Sequence, residues 1–138
     1  MGTYIQSEKE IFKLLSSTDP KLVNLCADTG HLFFAGVDPV KFFEKNMNRI
    51  RHIHFKDLRP GVFNDINFEK ISFLNAVLSG IFTVPGDGCI DFKSISKSIE
   101  FSEYSGWVIV EAEQDPSKAN PFECAMRSRK YLNKIWSN

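Results

Sequence analysis

The chain has no excess charge of one sign, no cysteine framework and no long apolar run, and each absence removes a class of function. Seventeen Lys and Arg residues balance seventeen Asp and Glu residues. Neither a nucleic-acid surface nor an anionic membrane is therefore expected as a partner. No apolar stretch approaches the ~20 residues of a membrane span, and the N-terminus lacks the basic-then-apolar pattern of a signal peptide. A cytoplasmic location is the expectation. Cys26, Cys89 and Cys124 are an odd set without CxxC spacing, which points to reduced and mostly buried thiols rather than disulfides. Cys26, two residues before Asp28, is the one candidate nucleophile among them, although a small core residue fits that place equally well.

What remains is ordinary globular material, 43% hydrophobic and 25% charged over 138 residues. That is enough for a single domain, residues 1–138, with a real core. Helical and strand patterns alternate along it. Ser7 and Glu10 form a capping box ahead of Ile11, Leu14 and Leu15, and Asp19-Pro20 ends that helix. Val23 to Ala27 reads as a strand running into Asp28. Asp38-Pro39 starts a helix with Val40, Phe43 and Met47 on its apolar stripe. Ile50 to Phe55 is the next strand, Arg59 to Asn67 a loop, and Phe73 to Phe82 a short helix whose end is also compatible with extended structure. Pro85-Gly86-Asp87-Gly88 is a turn, Asp91 caps a helix bearing Phe92, Ile95 and Ile99, and Trp107 to Ala112 is the last clear strand. Asn120-Pro121 opens a final helix to about Ile135, and Gly2 to Ile5 is a candidate fourth strand.

Strands separated by helices imply βαβ units and a parallel sheet. A closed (β/α)8 barrel needs eight strands and typically ~250 residues. The pattern is that of the C-terminal part of such an α/β barrel, incomplete in this chain. A small open sheet is the alternative, with edges to protect.

Three polar clusters end the apolar runs: Asp28-Thr29-Gly30-His31, His52-Ile53-His54-Phe55-Lys56-Asp57 and Glu111-Ala112-Glu113-Gln114-Asp115. Barrel chemistry sits at C-terminal strand ends. Alternation puts Asn24, Cys26 and Asp28 on one face, His52, His54 and Lys56 on one face, and Ile109, Glu111 and Glu113 on one face. Asp28, His54 and Glu111 then form a mixed oxygen/nitrogen set suited to Mn²⁺, Co²⁺ or Fe²⁺ rather than structural zinc. Singly, each has a plainer reading. An aspartate before Thr-Gly caps a turn or helix, His52 fits a satisfied core histidine, and a terminal glutamate is usually solvated. Their recurrence at three strand ends, with every histidine of the chain in these clusters, favours a shared site. The Pro85-Gly86-Asp87-Gly88 run could cradle an anion, but it lacks phosphate-loop spacing and reads better as a tight loop.

These clusters, with Phe82-Thr83-Val84-Pro85-Gly86-Asp87-Gly88 and the run from Lys118 to Pro121, resemble the inosose dehydratases of myo-inositol catabolism, within the xylose-isomerase-like barrel superfamily. The resemblance implies removal of water from 2-keto-myo-inositol (scyllo-inosose) to a trihydroxycyclohexane-dione, with Mn²⁺ or Co²⁺ and a glutathione requirement. Motif matching implies metal ligation by Asp28, His54 and Glu111. His31 and Lys56 become catalytic and substrate-binding groups, with Asp57, Arg59 and Glu113 also against substrate. It further implies that an earlier strand of the barrel, matching sequence before Met1, adds a further metal or substrate group. Self-association or pairing with a separate N-terminal half would then complete the scaffold. A sugar isomerase or epimerase of the same superfamily, or a non-catalytic half-barrel, is the competing expectation.

Overall fold

The computed structural model describes residues 5–67 and 70–136. Helix α1 (Glu8–Ser16) leads to β1 (Leu25–Asp28), α2 (Thr29–Phe34), α3 (Pro39–Asn46), a 3-10 turn and β2 (Ile50–Phe55). An excursion follows: β3 (Asp57–Leu58), α4 (Pro60–Asp65), α5 (Phe73–Leu78) and β4 (Phe82–Thr83). The chain closes with α6 (Phe92–Glu100), β5 (Val108–Val110) and α7 (Pro121–Trp136).

β1, β2 and β5 form one parallel sheet in that order, with Cys26 opposite His52, Asp28 opposite His54 and Phe55 opposite Val110. Parallel neighbours need long crossovers, and here helices supply them. The result is three adjacent rungs of a barrel wall rather than a closed barrel, as the strand count in the sequence implies. Among the described residues, the outer edges of β1 and β5 have no strand partner. No described helix is long and apolar enough to cross a membrane.

The faces follow from alternation. Ile53 and Phe55 are fully buried, together with Phe43, Phe92 and Ile95 of the covering helices, while His52 and His54 on the opposite face are half-buried. Local signals start the helices where expected. Ser7 and Glu10 close a reciprocal capping box, Asp38 accepts from Val40 and Lys41 N–H, and Asp91 accepts from Ser94 N–H.

Several sequence expectations are corrected. Arg59 to Asn67 contains helix α4, because Pro60 at its first position starts a helix as well as punctuating a loop. The helix from Phe73 stops at Leu78, and Gly80, with φ of 81°, turns the chain into the extended Phe82–Thr83. The last strand is shorter than Trp107 to Ala112. All three thiols are free, but only Cys124 is buried. Cys26 lies on the sheet face away from the helices, and no described element covers it. Gly2, Thr3 and Tyr4 of the candidate fourth strand lie outside the described residues, and Ile5 is not in a strand.

After β2 the chain folds back, and Asp57 holds the fold-back together. Its Oδ1 accepts from the N–H groups of Leu58 and Ile90, and its Oδ2 from those of Gly86 and Gly88. The glycine-rich loop does cradle an anion, and that anion is the chain's own buried Asp57 carboxylate. Gly86 has φ of 89°, and a Cβ on Gly88 would strike Asp57 and the Leu58 carbonyl; both positions need glycine. Arg59 completes the lock, donating to the Gly80 and Phe82 carbonyls, Thr83 Oγ1 and Asp87 Oδ2. The polar atoms of Asp57 and Arg59 in these bonds are thereby committed to the loop that borders the site.

Replacing Asp57 by Ala leaves four amides without their acceptor and should cost about 3 kcal/mol or more in chemical denaturation, with Asp57→Asn milder because one oxygen remains. Asp87 gives a pH signature. Burial pushes its carboxyl up, but the Thr83 hydroxyl and the Arg127 and Arg59 guanidinium groups outweigh burial and hold it below the ordinary carboxylate range. Its stabilisation is present above the unfolded value and lost as pH falls through the depressed folded value. Asp87→Asn should flatten the acid limb of a stability-against-pH curve.

A candidate metal and proton-transfer site

Asp28 ends β1 and also caps α2, its Oδ1 accepting from His31 N–H at 2.9 Å. The plain capping role and the site role are thus held by one side chain, because the other oxygen, Oδ2, turns toward the neighbouring strand ends. His54 near the end of β2 places Nδ1 at 3.8 Å from Asp28 Oδ2 and 3.1 Å from Glu111 Oε2. Glu111 is held beside β2 by its own N–H, which donates to the Phe55 carbonyl at 3.0 Å. One donor atom from each of Asp28, His54 and Glu111 lies within 4.8 Å of the other two. Two carboxylates and an imidazole converging in this way are a hard-to-borderline donor set for a divalent cation.

Lys56 is the centre of charge. Its side chain is 2% exposed, and Nζ lies 3.4 Å from Asp28, 3.2 Å from Glu111 and 2.5 Å from Glu113. His31 Nε2 is 2.8 Å from the same Nζ and 3.1 Å from Glu113 Oε2. Lys56, His31 and Glu113 therefore form a closed triangle through which a proton can pass. The Phe82 ring lies under Nζ at 5.1 Å and stacks on the His31 imidazole at 5.3 Å, giving both groups an apolar floor.

Two residues absent from the sequence-based site build this arrangement. Thr29 Oγ1 accepts from Lys56 N–H at 3.0 Å and donates to the Lys56 carbonyl at 2.7 Å. This hooks the first turn of α2 onto the end of β2. Gly30 makes room for the lysine stem, since a Cβ there would lie 2.7 Å from Lys56 Cγ. Both sit inside the Asp-Thr-Gly-His cluster, which was the only available signal.

Glu113 reaches the site by an unexpected route. Strand alternation ends at Val110, so parity does not carry through to position 113. The residue instead has φ of 42°, the left-handed region, and no other described non-glycine residue has positive φ. Such backbone strain persists where surrounding contacts over-determine it. Here those contacts are the bonds to Lys56 and His31. Gln114 donates from Nε2 to the Phe82 carbonyl at 2.7 Å and pins the same turn.

The electrostatics are those of a half-dry site. Burial pushes Asp28 up, and Lys56 and His31 only partly oppose it. Burial also works against the Lys56 ammonium, but Asp28, Glu113 and Glu111 more than compensate and raise it. Burial acts upward on Glu111 and Glu113, and contacts with Lys56 outweigh it and hold both low. A cavity of about 360 Å³ adjoins Asp28 and His31 on the open side of β1, lined also by Cys26, Leu25 and Phe73, a size that suits a small polar molecule.

Parallel rungs with a cationic and carboxylate cluster at their C-terminal ends define an α/β-barrel site. Residues 1–135 match the model of the xylose isomerase-like TIM barrel, and the chain belongs to that family. Its sequence is 54% identical over 132 residues to the inosose dehydratase of Geobacillus thermodenitrificans, covering 96% of this chain and 44% of that one. The inosose dehydratase of Clostridium beijerinckii matches at 54% identity with the same coverage. The chain thus spans less than half the length of these relatives. Among solved structures, IolI with a zinc atom bound superposes with a TM-score of 0.65 at 16% identity, covering 94% of this chain and 43% of IolI; this likeness concerns the fold.

Thr29→Val should leave the buried Lys56 N–H and carbonyl without their bridge. The expected loss is about 1–3 kcal/mol in denaturant titration, whereas Thr29→Ser, which keeps the hydroxyl, should lose less.

Proposed function

We propose that the chain carries the metal-binding and proton-transfer part of an inosose dehydratase, acting on 2-keto-myo-inositol (scyllo-inosose) to release water and a trihydroxycyclohexane-1,2-dione. The supporting observation is the convergence of Asp28, His54 and Glu111 beside the Lys56–His31–Glu113 triangle, in a chain about half identical to proteins of that name.

The residues fit a divalent metal. Their donors are oxygen and nitrogen, and they face one another across three strand ends. Asp28, His54 and Glu111 would hold it, with Mn²⁺ or Co²⁺ preferred by this donor chemistry. Bound there, such a cation would polarise the ketone and stabilise charge developing on its oxygen. Dehydration next to a ketone takes an α-proton from carbon, and the electron pair moves onto the ketone oxygen as an enolate. Return of that pair expels the β-hydroxyl, which leaves with a proton as water. Of His31 Nε2 and Lys56 Nζ, 2.8 Å apart, one accepts the α-proton as base and the other donates a proton to the departing hydroxyl as acid, and Glu113 orients both groups. Substrate lies against this pair on the open face of the sheet. Asp57 and Arg59 contribute by fixing the bordering loop rather than by touching it. A companion segment supplying the remaining barrel strands, from a second copy or a separate N-terminal half, would cover the open face. Glutathione enters as a co-requirement of the same reaction.

Mn²⁺ or Co²⁺ at about a hundredfold over Kd should stabilise the protein by about 2.7 kcal/mol. Alanine at Asp28, His54 or Glu111 should remove that shift, whereas Lys56→Met and His31→Gln should keep a metal response. With scyllo-inosose, metal, glutathione and an N-terminal half-barrel present, the latter pair should lower turnover by about 10²–10⁴-fold. A folded protein without any metal response would sink the site. An epimer formed without loss of water, seen by NMR, would move the activity to the isomerases of the same superfamily.

A further inference from the structure

One rung below the carboxylate ends, the same face of the sheet carries a different donor set. Cys26 on β1 and His52 on β2 are direct register partners, so their Cα atoms sit one strand spacing, about 4.8 Å, apart. His54 lies two residues further along β2 on the same face, its ring edge-on to His52 at 5.1 Å between centroids. One ligand atom from each of Cys26, His52 and His54 lies within 4.8 Å of the other two. Cys26 is exposed and both histidines are half-buried, so a cation can reach all three without unfolding the core.

From this geometry we infer a second cation site, formed by Cys26, His52 and His54 and selective for thiophilic divalent metals such as Zn²⁺. Sulfur and imidazole prefer Zn²⁺ over the hard cations that suit two carboxylates. Tetrahedral zinc at its usual bond lengths places neighbouring donors roughly 3.3–3.8 Å apart, which small side-chain rotations reach from the spacing seen here. Three protein donors leave a fourth position for water or a small ligand, the pattern of open rather than structural zinc sites. Rigid backing comes from the strand ladder, which fixes Cys26 against His52 whatever occupies the rung above.

His54 belongs to both sets, and its Nδ1 faces Glu111 and Asp28. A thiophilic cation on the lower rung therefore draws on a donor of the upper one. Occupancy of the two sites is coupled, and the identity of the metal decides which rung fills. The inference touches the dehydratase reading only through His54, because neither Cys26 nor His52 takes part in the proposed proton transfers.

Titration of the reduced, metal-free chain with Co²⁺ tests it, cobalt being a spectroscopic stand-in for zinc. A thiolate-to-cobalt charge-transfer band should develop in the near ultraviolet and be displaced by Zn²⁺. Cys26→Ser should abolish the band, and His52→Ala should weaken cobalt binding at least tenfold. Cys89→Ser should keep the band, as should the double variant Asp28→Asn, Glu111→Gln, which removes the upper carboxylates. Circular dichroism of Cys26→Ser checks that the fold survives. Cobalt binding with no thiolate band, or a band that persists in Cys26→Ser, overturns the inference. Loss of the band in the Asp28→Asn, Glu111→Gln variant also overturns it, by showing a single merged site.

Discussion

A single buried ammonium group holds the functional end of this fold together. Lys56 Nζ meets carboxylates from the end of β1, from the residue after β5 and from the turn beyond it, and touches an imidazole from α2. An unpaired charge at that depth would cost several kcal/mol, and pairing offsets the cost only when the geometry is supplied in advance. The supply is local. Thr29 grips both backbone polar groups of Lys56, Gly30 makes room for its stem, and Phe82 floors the ammonium. Carboxylates that would repel one another at a strand-end cluster are thereby held within reach of a common point. One fixed positive charge offsets the repulsion among three negative groups while no cation lies between them, a task that a bound metal would itself take over.

The next residue faces the opposite task. At Asp57 the chain leaves the parallel sheet and reverses into a short antiparallel pair with β4. The carboxylate is buried, which pushes it up, and four backbone N–H groups replace part of its hydration. Adjacent, oppositely charged buried side chains thus divide the work: Lys56 organises the chemistry, and Asp57 organises the loop beside it. The loop reports back to the site through Phe82, whose ring lies under Lys56 and whose carbonyl accepts from Gln114 and Arg59. A change in the loop therefore reaches the position of His31, which stacks on that ring.

Strand parity makes much of the candidate site legible in the sequence. Within β2, period-two alternation correctly separates His52 and His54 from Ile53 and Phe55, and the strand-end clusters locate Asp28 and Glu111. Legibility fails where alternation stops. Glu113 belongs to the cluster because of a left-handed backbone, not because it shares a face with Glu111. Asp57 and Arg59 follow closely on Lys56, and the chain reversal gives them backbone partners 21 to 33 residues away. That partner choice is non-local, and no periodicity encodes it. Helix α2 is not legible in the sequence, because six residues containing a glycine carry too little propensity; its start depends on the Asp28 cap and the Thr29 hook. Residue type alone predicts burial of the thiols, while Cys26 lies on a face that no described element covers.

The open face has an energetic meaning of its own. Exposure rises across the site from 2% at Lys56 through 15% at Asp28 to 42% at Glu111, so it is dry at its ammonium and wet at the last strand. Ile109, on the same strand, is 40% exposed, and Trp107 beside it is 74% exposed. Electrostatic stabilisation of an enolate is strongest where water is excluded and dipoles are fixed. In this arrangement the Lys56 side of the pocket is already pre-organised, whereas the Glu111 side still exchanges with solvent. Covering β5 would therefore act on chemistry as well as on stability. It would remove the unpaired strand edge, bury Ile109 and Trp107, and strengthen the attraction of Glu111 for any cation shared with Asp28 and His54. Completion of the barrel wall and the cation affinity of the candidate site are, on this geometry, one physical variable.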